Sequence, residues 1–460
     1  MIHQFQNNGY NIVLDVNSGS VHVMDGLAYE AIGKLDEALG QNKKAESSDI
    51  SQAFIENILG KSDLTKEIFQ LVEAGRLFTP DTYEDYISQV KEHKTVVKAL
   101  CLHVAHDCNL ACKYCFAEEG EYHGKRELMP LEVGKRALDF LIAHSGNRRN
   151  LEVDFFGGEP LLNWAVVKDI VAYGRAQEKI FDKNFRFTLT TNGVLLNDEV
   201  IDFANIEMDN VVISLDGRKE INDNMRPFPK GKGSYDIILP KVQKLAKSRT
   251  QAEKDYYVRG TFTRDNLEFS KDVLHFADLG LKEVSLEPVV AEANEAYALK
   301  ESDLPTIYKE YDSLAQIMTK REFNFFHFLL DLEGGPCVAK RLSGCGAGTE
   351  YLAVSPTGDL YPCHQFVGKD KFYLGNVDEG VIKPEIPADF RSCSIYNKEA
   401  CRSCFAKFYC SGGCMANSQQ FKGNIHDIYE LGCEMEKKRV ECALMLKVDQ
   451  MMKVGKETHE

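Results

Sequence analysis

Three cysteines stand close together in one short segment of the chain. Cys108, Cys112 and Cys115 have the spacing C-x3-C-x2-C. Three thiolates on one loop can hold three irons of a cubane iron–sulfur cluster, which leaves the fourth iron without a protein ligand. An open metal position is where an outside ligand binds and reacts. His103 and His106 are near enough in sequence to complete a zinc site, so zinc is the alternative.

A second and denser group of cysteines lies in the last third of the chain. Its core has the pattern C-x2-C-x5-C-x3-C, from Cys401 to Cys414. Cysteines packed this densely are not scattered core residues. A zinc ribbon is the alternative, because two C-x2-C-like pairs can make one. The whole group exceeds one zinc site, however, and two zinc sites leave the element Gly358-Asp-Leu-Tyr-Pro-Cys363 without a role.

The sequence pattern in the middle of the chain predicts the strands and helices that position these cysteines. From about residue 97, short apolar strands alternate with helical stretches such as Leu131–His144 and Trp164–Glu178. This alternation predicts an α/β fold with a parallel sheet, and six units fit a partial (β/α)6 barrel better than a closed eight-stranded one. Ligands of such sheets bind at the carboxyl ends of the strands. The predicted strands are Val97–Val104, Leu151–Phe156, Phe185–Leu189, Val211–Leu215, Tyr257–Phe262 and Glu283–Leu286.

The loops that follow the first four of these strands carry chemically useful residues. The first loop holds the Cys108 group, and the second is Gly157-Gly158-Glu159-Pro160. Its glycines allow close backbone approach, and its carboxylate can accept hydrogen bonds from an ammonium group. By itself that pattern is also an ordinary turn with a charged residue. The third loop is Thr190-Thr191-Asn192-Gly193, and the fourth is Ser214-Leu215-Asp216-Gly217.

Length, charge and cysteine distribution limit the class of protein. The chain has 460 residues, which corresponds to roughly three domains. A net charge of −15 argues against nucleic acid or an anionic membrane as a partner. No long apolar run and no signal-peptide pattern occurs, so we expect a cytoplasmic protein. None of the 14 cysteines lies between Cys115 and Cys337, and such clustering in a reducing compartment indicates metal binding rather than disulfides.

The segments before and after the barrel differ from it in character. Residues 1–80 predict strands at Tyr10–Val16 and Val21–Met24 followed by three amphipathic helices, which suits a small winged-helix-like module. A purely structural cap is the alternative. We expect a linker at residues 81–96, the barrel at residues 97–329, and a metal-dependent extension at residues 330–460. The predicted helices are Leu27–Leu39, Ile50–Leu59 and Leu64–Ala74.

The first cysteine group resembles the defining motif of the radical S-adenosylmethionine (SAM) enzymes, C-x3-C-x-aromatic-C, with Tyr114 as the aromatic residue. The resemblance implies a 4Fe–4S cluster on Cys108, Cys112 and Cys115. It also implies that the open iron chelates SAM and that reductive cleavage gives a 5′-deoxyadenosyl radical.

The same resemblance assigns the following loops to SAM. It implies that the G-G-E-P loop contacts the methionyl amino group, and we expect Ser214 at the carboxylate and Asp216 near the ribose. Arg226 has two open interpretations, a further carboxylate contact or a solvated loop residue. The cofactor-binding residues implied are Tyr114, Gly157, Gly158, Glu159, Thr191, Asn192, Ser214, Asp216 and Arg226.

The second cysteine group resembles the SPASM extension of radical SAM enzymes, over residues 345–433. The resemblance implies two auxiliary 4Fe–4S clusters, and therefore three clusters in all. Cys337 is either the fourth ligand of the first auxiliary cluster or not a ligand. In the second case, one iron of that cluster would be open and could bind a substrate thiolate. Cys101, Cys393 and Cys442 are expected to be structural or free thiols. The implied ligands are Cys345, Cys363 and Cys414 for the first auxiliary cluster, and Cys401, Cys404, Cys410 and Cys433 for the second.

The opening segment, from Met1-Ile-His-Gln-Phe to Val23, resembles the maturases of SCIFF peptides, which are cysteine-rich ribosomal peptides. The resemblance implies that residues 1–80 bind the leader of a precursor peptide as an added strand. It implies a thioether bond between a substrate cysteine and an acceptor, typically the α-carbon of threonine, with an auxiliary cluster taking the released electron. It also implies an electron donor such as flavodoxin or ferredoxin.

Several other functions remain open at this point. An anaerobic sulfatase maturase, which makes formylglycine, shares the barrel and clusters but does not need residues 1–80. A radical peptide epimerase or a carbon–carbon crosslinking enzyme is a further possibility. Outside enzymes, a multi-cluster electron carrier or a zinc-binding interaction protein is the alternative, although neither needs the G-G-E-P and S-L-D-G loops.

Overall fold

The computed structural model describes residues 1–41, 50–88, 96–122, 124–330 and 338–457. Cys337 therefore lies outside the described residues. Within these ranges, no helix is long and apolar enough to cross a lipid bilayer.

The N-terminal unit is a small antiparallel sheet covered by three helices. Its strands pair in the order β1-β2-β3, and the helices bury Ile32, Ile55 and Ile68 against the sheet. Ser51 and Ser62 cap α2 and α3, because each side chain accepts a hydrogen bond from a backbone N–H of the first turn. The elements are β1 (Ile2–Asn7), β2 (Tyr10–Asp15), β3 (Ser20–Met24), α1 (Gly26–Gln41), α2 (Gln52–Leu59) and α3 (Asp63–Glu73).

A second sheet of 12 strands forms the centre of the molecule. Its strands follow the order β11-β10-β9-β8-β7-β6-β4-β12-β13-β14-β15, and β5 pairs with β4. All neighbours from β11 to β12 are parallel. The strands of this part are β4 (Ala99–His106), β5 (Glu127–Leu128), β6 (Asn150–Gly157), β7 (Asn184–Thr191), β8 (Met208–Ser214), β9 (Asp255–Phe262), β10 (Glu283–Pro288) and β11 (Asn324–Phe325).

The helices that alternate with these strands are α4 (Leu131–His144), α5 (Trp164–Phe181), α6 (Asp198–Glu207), α7 (Lys219–Met225), α8 (Tyr235–Gln251), α9 (Ser270–Asp278) and α10 (Leu304–Met318). All six predicted strands are present, and α4 has the predicted bounds. The prediction missed β1, because its polar residues interrupt the apolar alternation and only Phe5 and Asn7 are buried.

The C-terminal region begins by extending the barrel sheet. Strand β12 lies parallel to β4, and β13 to β15 continue antiparallel. The long helix α16 packs along α10 and returns to the barrel. The elements are α11 (Val338–Ser343), β12 (Tyr351–Val354), β13 (Asp359–Tyr361), β14 (Gly375–Asn376), β15 (Gly380–Val381), α12 (Glu385–Ser392), α13 (Glu399–Arg402), α14 (Lys407–Cys410), α15 (Met415–Lys422) and α16 (Glu430–Glu457).

Asp81, which directly follows the N-terminal unit, forms an ion pair with the buried Lys407 of the C-terminal region. Lys407 Nζ donates to Asp81 Oδ2 at 2.6 Å, and its side chain is only 2% exposed. Tyr396 OH donates to Asp81 Oδ1 at 2.6 Å. Burial acts to raise the pKa of Asp81, but these hydrogen bonds hold it below the usual value. Nearby, the ring of His3 stacks on Phe405 with centroids 3.5 Å apart. Asp81, the first residue of the predicted linker, therefore contacts the C-terminal region.

Candidate functional site

The loop after β4 carries Cys108, Cys112 and Cys115 at the carboxyl edge of the parallel sheet. Its main chain is held by hydrogen bonds from Ala111 N to Pro227 O and from Lys113 N to Met225 O. Burial, together with the nearby Glu159, Cys112 and Cys115, raises the pKa of the Cys108 thiol to about 12.

The chemistry of this donor set fits a cluster of several irons. Burial raises the pKa of Cys112 to about 11, although Arg226 acts to lower it. Thiols in such surroundings favour the neutral form, so a thiolate needs a bound cation beside it. Iron atoms of a cluster supply that positive charge, and each cysteine binds a different iron.

The structure does not bring the two histidines to these cysteines as zinc ligands. His103 Nδ1 and His106 Nε2 lie 3.1 Å apart, and both side chains are buried at β4. Among the described residues, no three His, Cys, Asp or Glu side chains are arranged to hold a single metal ion.

The loop after β6 lies directly against the cysteine loop. Gly157 has φ +125°, and a Cβ there would stand 2.3 Å from Ala105 O. A Cβ on Gly158 would stand 2.2 Å from Asp107 O. Only glycine permits this approach, so the two glycines bring the backbone beside Cys108.

Glu159 connects three of the loops at the edge of the sheet. Its carboxylate is fully buried and accepts hydrogen bonds from Leu161 N at 3.0 Å, Thr191 Oγ1 at 2.7 Å and Asn192 N at 2.7 Å. The Asn192 side chain in turn donates to Asn109 Oδ1 at 2.7 Å. Burial raises the pKa of Glu159, while its hydrogen bonds act to lower it. The loops after β4, β6 and β7 are thus linked through one carboxylate.

Tyr114, Asp216 and Arg226 form a second buried polar group. Tyr114 OH donates to both Asp216 oxygens at 2.8 and 2.7 Å and accepts from Arg226 Nη1 at 2.8 Å. Thr261 N also donates to Asp216 Oδ1, at 3.1 Å. Burial raises the pKa of Asp216 to about 6. Arg226 is only 7% exposed, so the interpretation of this residue as a solvated loop arginine is wrong.

A cavity of about 550 Å³ opens at this edge of the sheet. One wall consists of residues from the barrel loops and strand ends, including Thr190, Ser214 and Arg226. The facing wall comes from the C-terminal region and includes Cys410, Cys414 and Cys433. The barrel residues and the C-terminal cysteines therefore face one common space.

Four of the C-terminal cysteines influence one another electrostatically. Burial raises the pKa of Cys410, and Glu436, Cys433, Cys401 and Cys404 raise it further. Burial likewise raises the pKa of Cys433 to about 11, with further increases from Cys401 and Cys404. The structure thus brings these four thiols together.

A different set of three cysteines lies nearby. Burial, together with Cys414 and Cys345, raises the pKa of Cys363 to about 12. For Cys414, Cys345 is the cysteine that contributes. Cys101, Cys393 and Cys442 are also buried, and of these three Cys101 is influenced electrostatically by Cys363.

Sequence reasoning missed several residues of the cavity wall. Glu287 lies near the carboxyl end of β10. Because ligands of parallel sheets bind at such strand ends, this position was a signal for a site residue. Arg259 and His364 also line the cavity, as does Arg439. Arg439 had no such signal, because it reaches the cavity only through the packing of α16.

The match to known families agrees with this geometry. Residues 102–258 match the radical SAM superfamily, and residues 345–405 match the SPASM iron–sulfur cluster-binding domain. The chain therefore contains a radical SAM domain followed by a SPASM domain. The first implies SAM and a 4Fe–4S cluster, and the second implies additional iron–sulfur clusters.

Similar proteins include one that matches nearly the whole chain. The radical SAM cyclopropyl synthase TigE of Paramaledivibacter caminithermalis is 22% identical over 90% of this chain and 90% of its own length. Among solved structures, anSMEcpe with bound SAM has a TM-score of 0.61 at 20% identity and covers 77% of this chain and 99% of its own. SuiB of Streptococcus suis bound to precursor peptide SuiA has a TM-score of 0.54 at 17% identity and covers 94% and 98%. These structures share the fold.

Replacing Glu159 by glutamine should disturb the linked loops. The amide places a donor where Leu161 N, Thr191 Oγ1 and Asn192 N already donate, so we expect a loss of about 2 kcal/mol of stability. Thermal unfolding of the reconstituted protein measures this loss. Glu152→Gln is the matched control, since Glu152 is exposed on β6, the strand before this loop, and pairs with Arg186 at 3.4 Å. Equal unfolding midpoints for the two variants would contradict the role of Glu159.

Proposed function

We propose that this protein is a radical SAM peptide maturase that forms thioether crosslinks in a cysteine-rich SCIFF precursor peptide. The observation that carries the proposal is the shared cavity, in which Ser214 and Arg226 face Cys410, Cys414 and Cys433. The structural likeness to SuiB, which was solved with a precursor peptide, supports a peptide substrate. The proposal includes a cytoplasmic location and a flavodoxin or ferredoxin as electron donor.

Cys108, Cys112 and Cys115 would hold the radical SAM cluster. When bound, this cluster and SAM supply a radical that removes a hydrogen atom from the substrate. Arg226 presents its guanidinium to the cavity and would bind the SAM carboxylate together with Ser214.

The structure suggests distinct tasks for the other predicted SAM contacts. Gly157 and Gly158 bring the main chain close to the cysteine loop, and Glu159 fixes Thr191 and Asn192. Asp216 is fully buried beneath Tyr114 and Arg226. We therefore propose that Asp216 orients Arg226 rather than contacting the ribose directly.

The C-terminal cysteines would hold two auxiliary clusters. Cys345, Cys363 and Cys414 would bind the first, and the set of four would bind the second, formed by Cys401, Cys404, Cys410 and Cys433. Cys337 would either complete the first cluster or leave one iron open for a substrate thiolate. Burial raises the pKa of Cys363 and Cys410, and a bound metal would favour the ionised form of these two thiols.

The N-terminal unit would bind the leader peptide at strand β3. This strand pairs with β2 on one side, and among the described residues no strand pairs with its other side. Val23 on this strand is 42% exposed. A free strand edge beside an apolar side chain is suited to strand addition by a peptide.

Leader binding should therefore protect the backbone amides of β3 from hydrogen–deuterium exchange. Val23→Glu should weaken leader affinity by about tenfold, because it replaces an apolar contact with a charge. Val381→Glu is the matched control, because Val381 is also exposed and lies on the terminal strand β15 of the other sheet. Unprotected β3 amides, or equal effects of the two substitutions, would contradict this site.

Iron analysis should distinguish the three cysteine sets. The reconstituted protein should contain about twelve irons, and Cys112→Ala, Cys363→Ala or Cys404→Ala should each reduce this to about eight. Cys393→Ser is the control, since Cys393 is buried and lies outside both sets, and it should retain all the iron. An unchanged iron content in any of the three alanine variants would contradict the assignment of that set. If Cys337→Ala loses the first auxiliary cluster, that cluster has no open iron.

Mass spectrometry tests the reaction itself. Incubation with a cysteine-rich precursor, SAM and a reductant should remove two hydrogens per link and protect one thiol from alkylation. The balance is one hydrogen atom lost from the acceptor, one proton from the thiol and one electron passed on. Tandem spectra then locate the acceptor residue.

The rival functions give different spectra in the same experiment. Epimerisation changes no mass, and formylglycine formation converts the cysteine itself. The near full-length similarity to TigE favours cyclopropane formation as the second candidate. Ring closure also removes two hydrogens, but all thiols stay open to alkylation, and this result would replace the thioether proposal.

A further inference from the structure

One part of the cavity wall lies beside the predicted SAM contacts and belongs to none of them. Glu287 on β10 is in register with Thr261 on β9, which donates to Asp216. Strand β9 also pairs with β8, which ends at Ser214. Two strand spacings therefore separate Glu287 from the strand of Ser214, a distance of about 10 Å.

The Glu287 carboxylate is fixed and ionised. Ser285 Oγ donates to Glu287 Oε1 at 3.0 Å, Arg259 Nε lies 3.8 Å from the same oxygen, and His327 Nε2 lies 3.5 Å from Oε2. Burial acts to raise the pKa of Glu287, but the positive charges of Arg259 and Arg439 hold it below its usual value. The side chain is 30% exposed and lines the cavity. It therefore presents a permanent hydrogen-bond acceptor.

Arg439 presents a donor in the same cavity. Its Nε donates to Tyr311 OH at 2.9 Å, its Nη1 lies 3.3 Å from Glu436 Oε2, and its guanidinium stacks on the Tyr311 ring. Arg439 is 8% exposed, and its buried Nη2 has no hydrogen-bond partner. A buried N–H of a charged group costs free energy when it is unpaired, so this atom favours a ligand with an acceptor oxygen.

The charges around this pair select the kind of ligand. Glu287 disfavours a carboxylate, while Arg259 and Arg439 disfavour a cation. A peptide group is neutral and offers both a C=O acceptor and an N–H donor. The fixed donor and the fixed acceptor thus match the main chain of a peptide better than a charged side chain.

We infer that Glu287 and Arg439 bind the main chain of the substrate peptide, with Arg439 donating to a carbonyl and Glu287 accepting an N–H. This inference rests on the proposed function, because it requires a peptide in the cavity. An extended peptide of about three residues spans the distance of about 10 Å between Glu287 and the strand of Ser214. The pair would therefore hold the peptide a short distance from the residue that reacts.

The test uses the reconstituted full-length protein and the precursor peptide. Arg439→Gln, Arg439→Lys and Glu287→Gln are compared by the number of 5′-deoxyadenosine molecules formed per thioether bond, and by kcat and KM for the peptide. When the peptide is poorly held, some radicals form 5′-deoxyadenosine without producing a thioether bond. We therefore expect the ratio of 5′-deoxyadenosine to thioether bonds to rise in both arginine variants, and kcat/KM to fall by about tenfold. Glu287→Gln, which keeps one acceptor oxygen, should give a smaller change in the same direction.

Control variants separate binding from folding. Arg175→Gln removes an arginine that bonds to Glu178 and Glu207 and stacks on Phe187, away from the cavity. Loss of structure alone lowers radical formation and crosslinking together and leaves their ratio unchanged. Iron content and affinity for a labelled leader peptide are measured in every variant.

The outcomes distinguish this inference from the proposed function. If the wild-type protein crosslinks the peptide and the Glu287 and Arg439 variants keep its ratio, or if Arg175→Gln changes the ratio equally, the peptide-binding pair is wrong while the proposed function stands. If the wild-type protein cleaves SAM but leaves the peptide unmodified, both are wrong. A substrate N-methylated at the amide that Glu287 accepts should raise the ratio in the wild type and abolish the effect of Glu287→Gln.

Discussion

The geometry of the cavity depends on the buried carboxylate of Glu159. A charge without access to water must be met by hydrogen bonds from the protein, and here the donors come from its own loop and the loop after β7. Asn192 extends the link to the cysteine loop. Because none of these loops can shift without leaving a polar group unpaired, the positions of Cys108 and its neighbours are set by this contact.

The other half of the cavity is built from distant parts of the chain. Strand β12 continues the barrel sheet beside β4, and α16 returns along α10 with Cys433 and Arg439 near its start. The two domains matched by family models therefore share one sheet and one cavity. The barrel loops and the C-terminal cysteines are consequently held in a fixed position relative to each other.

Local patterns predicted much of the fold and part of the site. Apolar strands alternating with helices predicted β4 and β6–β10, whereas the three cysteine sets are expected from the resemblance to radical SAM and SPASM motifs. Strand β1 escaped prediction because its burial arises from packing rather than from an alternating pattern. The burial of Arg226 and the roles of Glu287 and Arg439 depend on contacts between residues far apart in sequence. Spacing along the chain contains no information on such contacts.

The ion pair between Asp81 and Lys407 limits which segments can replace the N-terminal unit. Lys407 lies between Cys404 and Cys410, so Asp81 anchors the end of the N-terminal unit to the segment that carries these two cysteines. Exchange of the N-terminal unit together with Asp81 would leave the buried Lys407 ammonium unpaired unless the replacement also supplied a carboxylate at the junction. Exchange of residues 1–81 therefore requires either a carboxylate at the new junction or a compensating change at Lys407, 326 residues away in sequence.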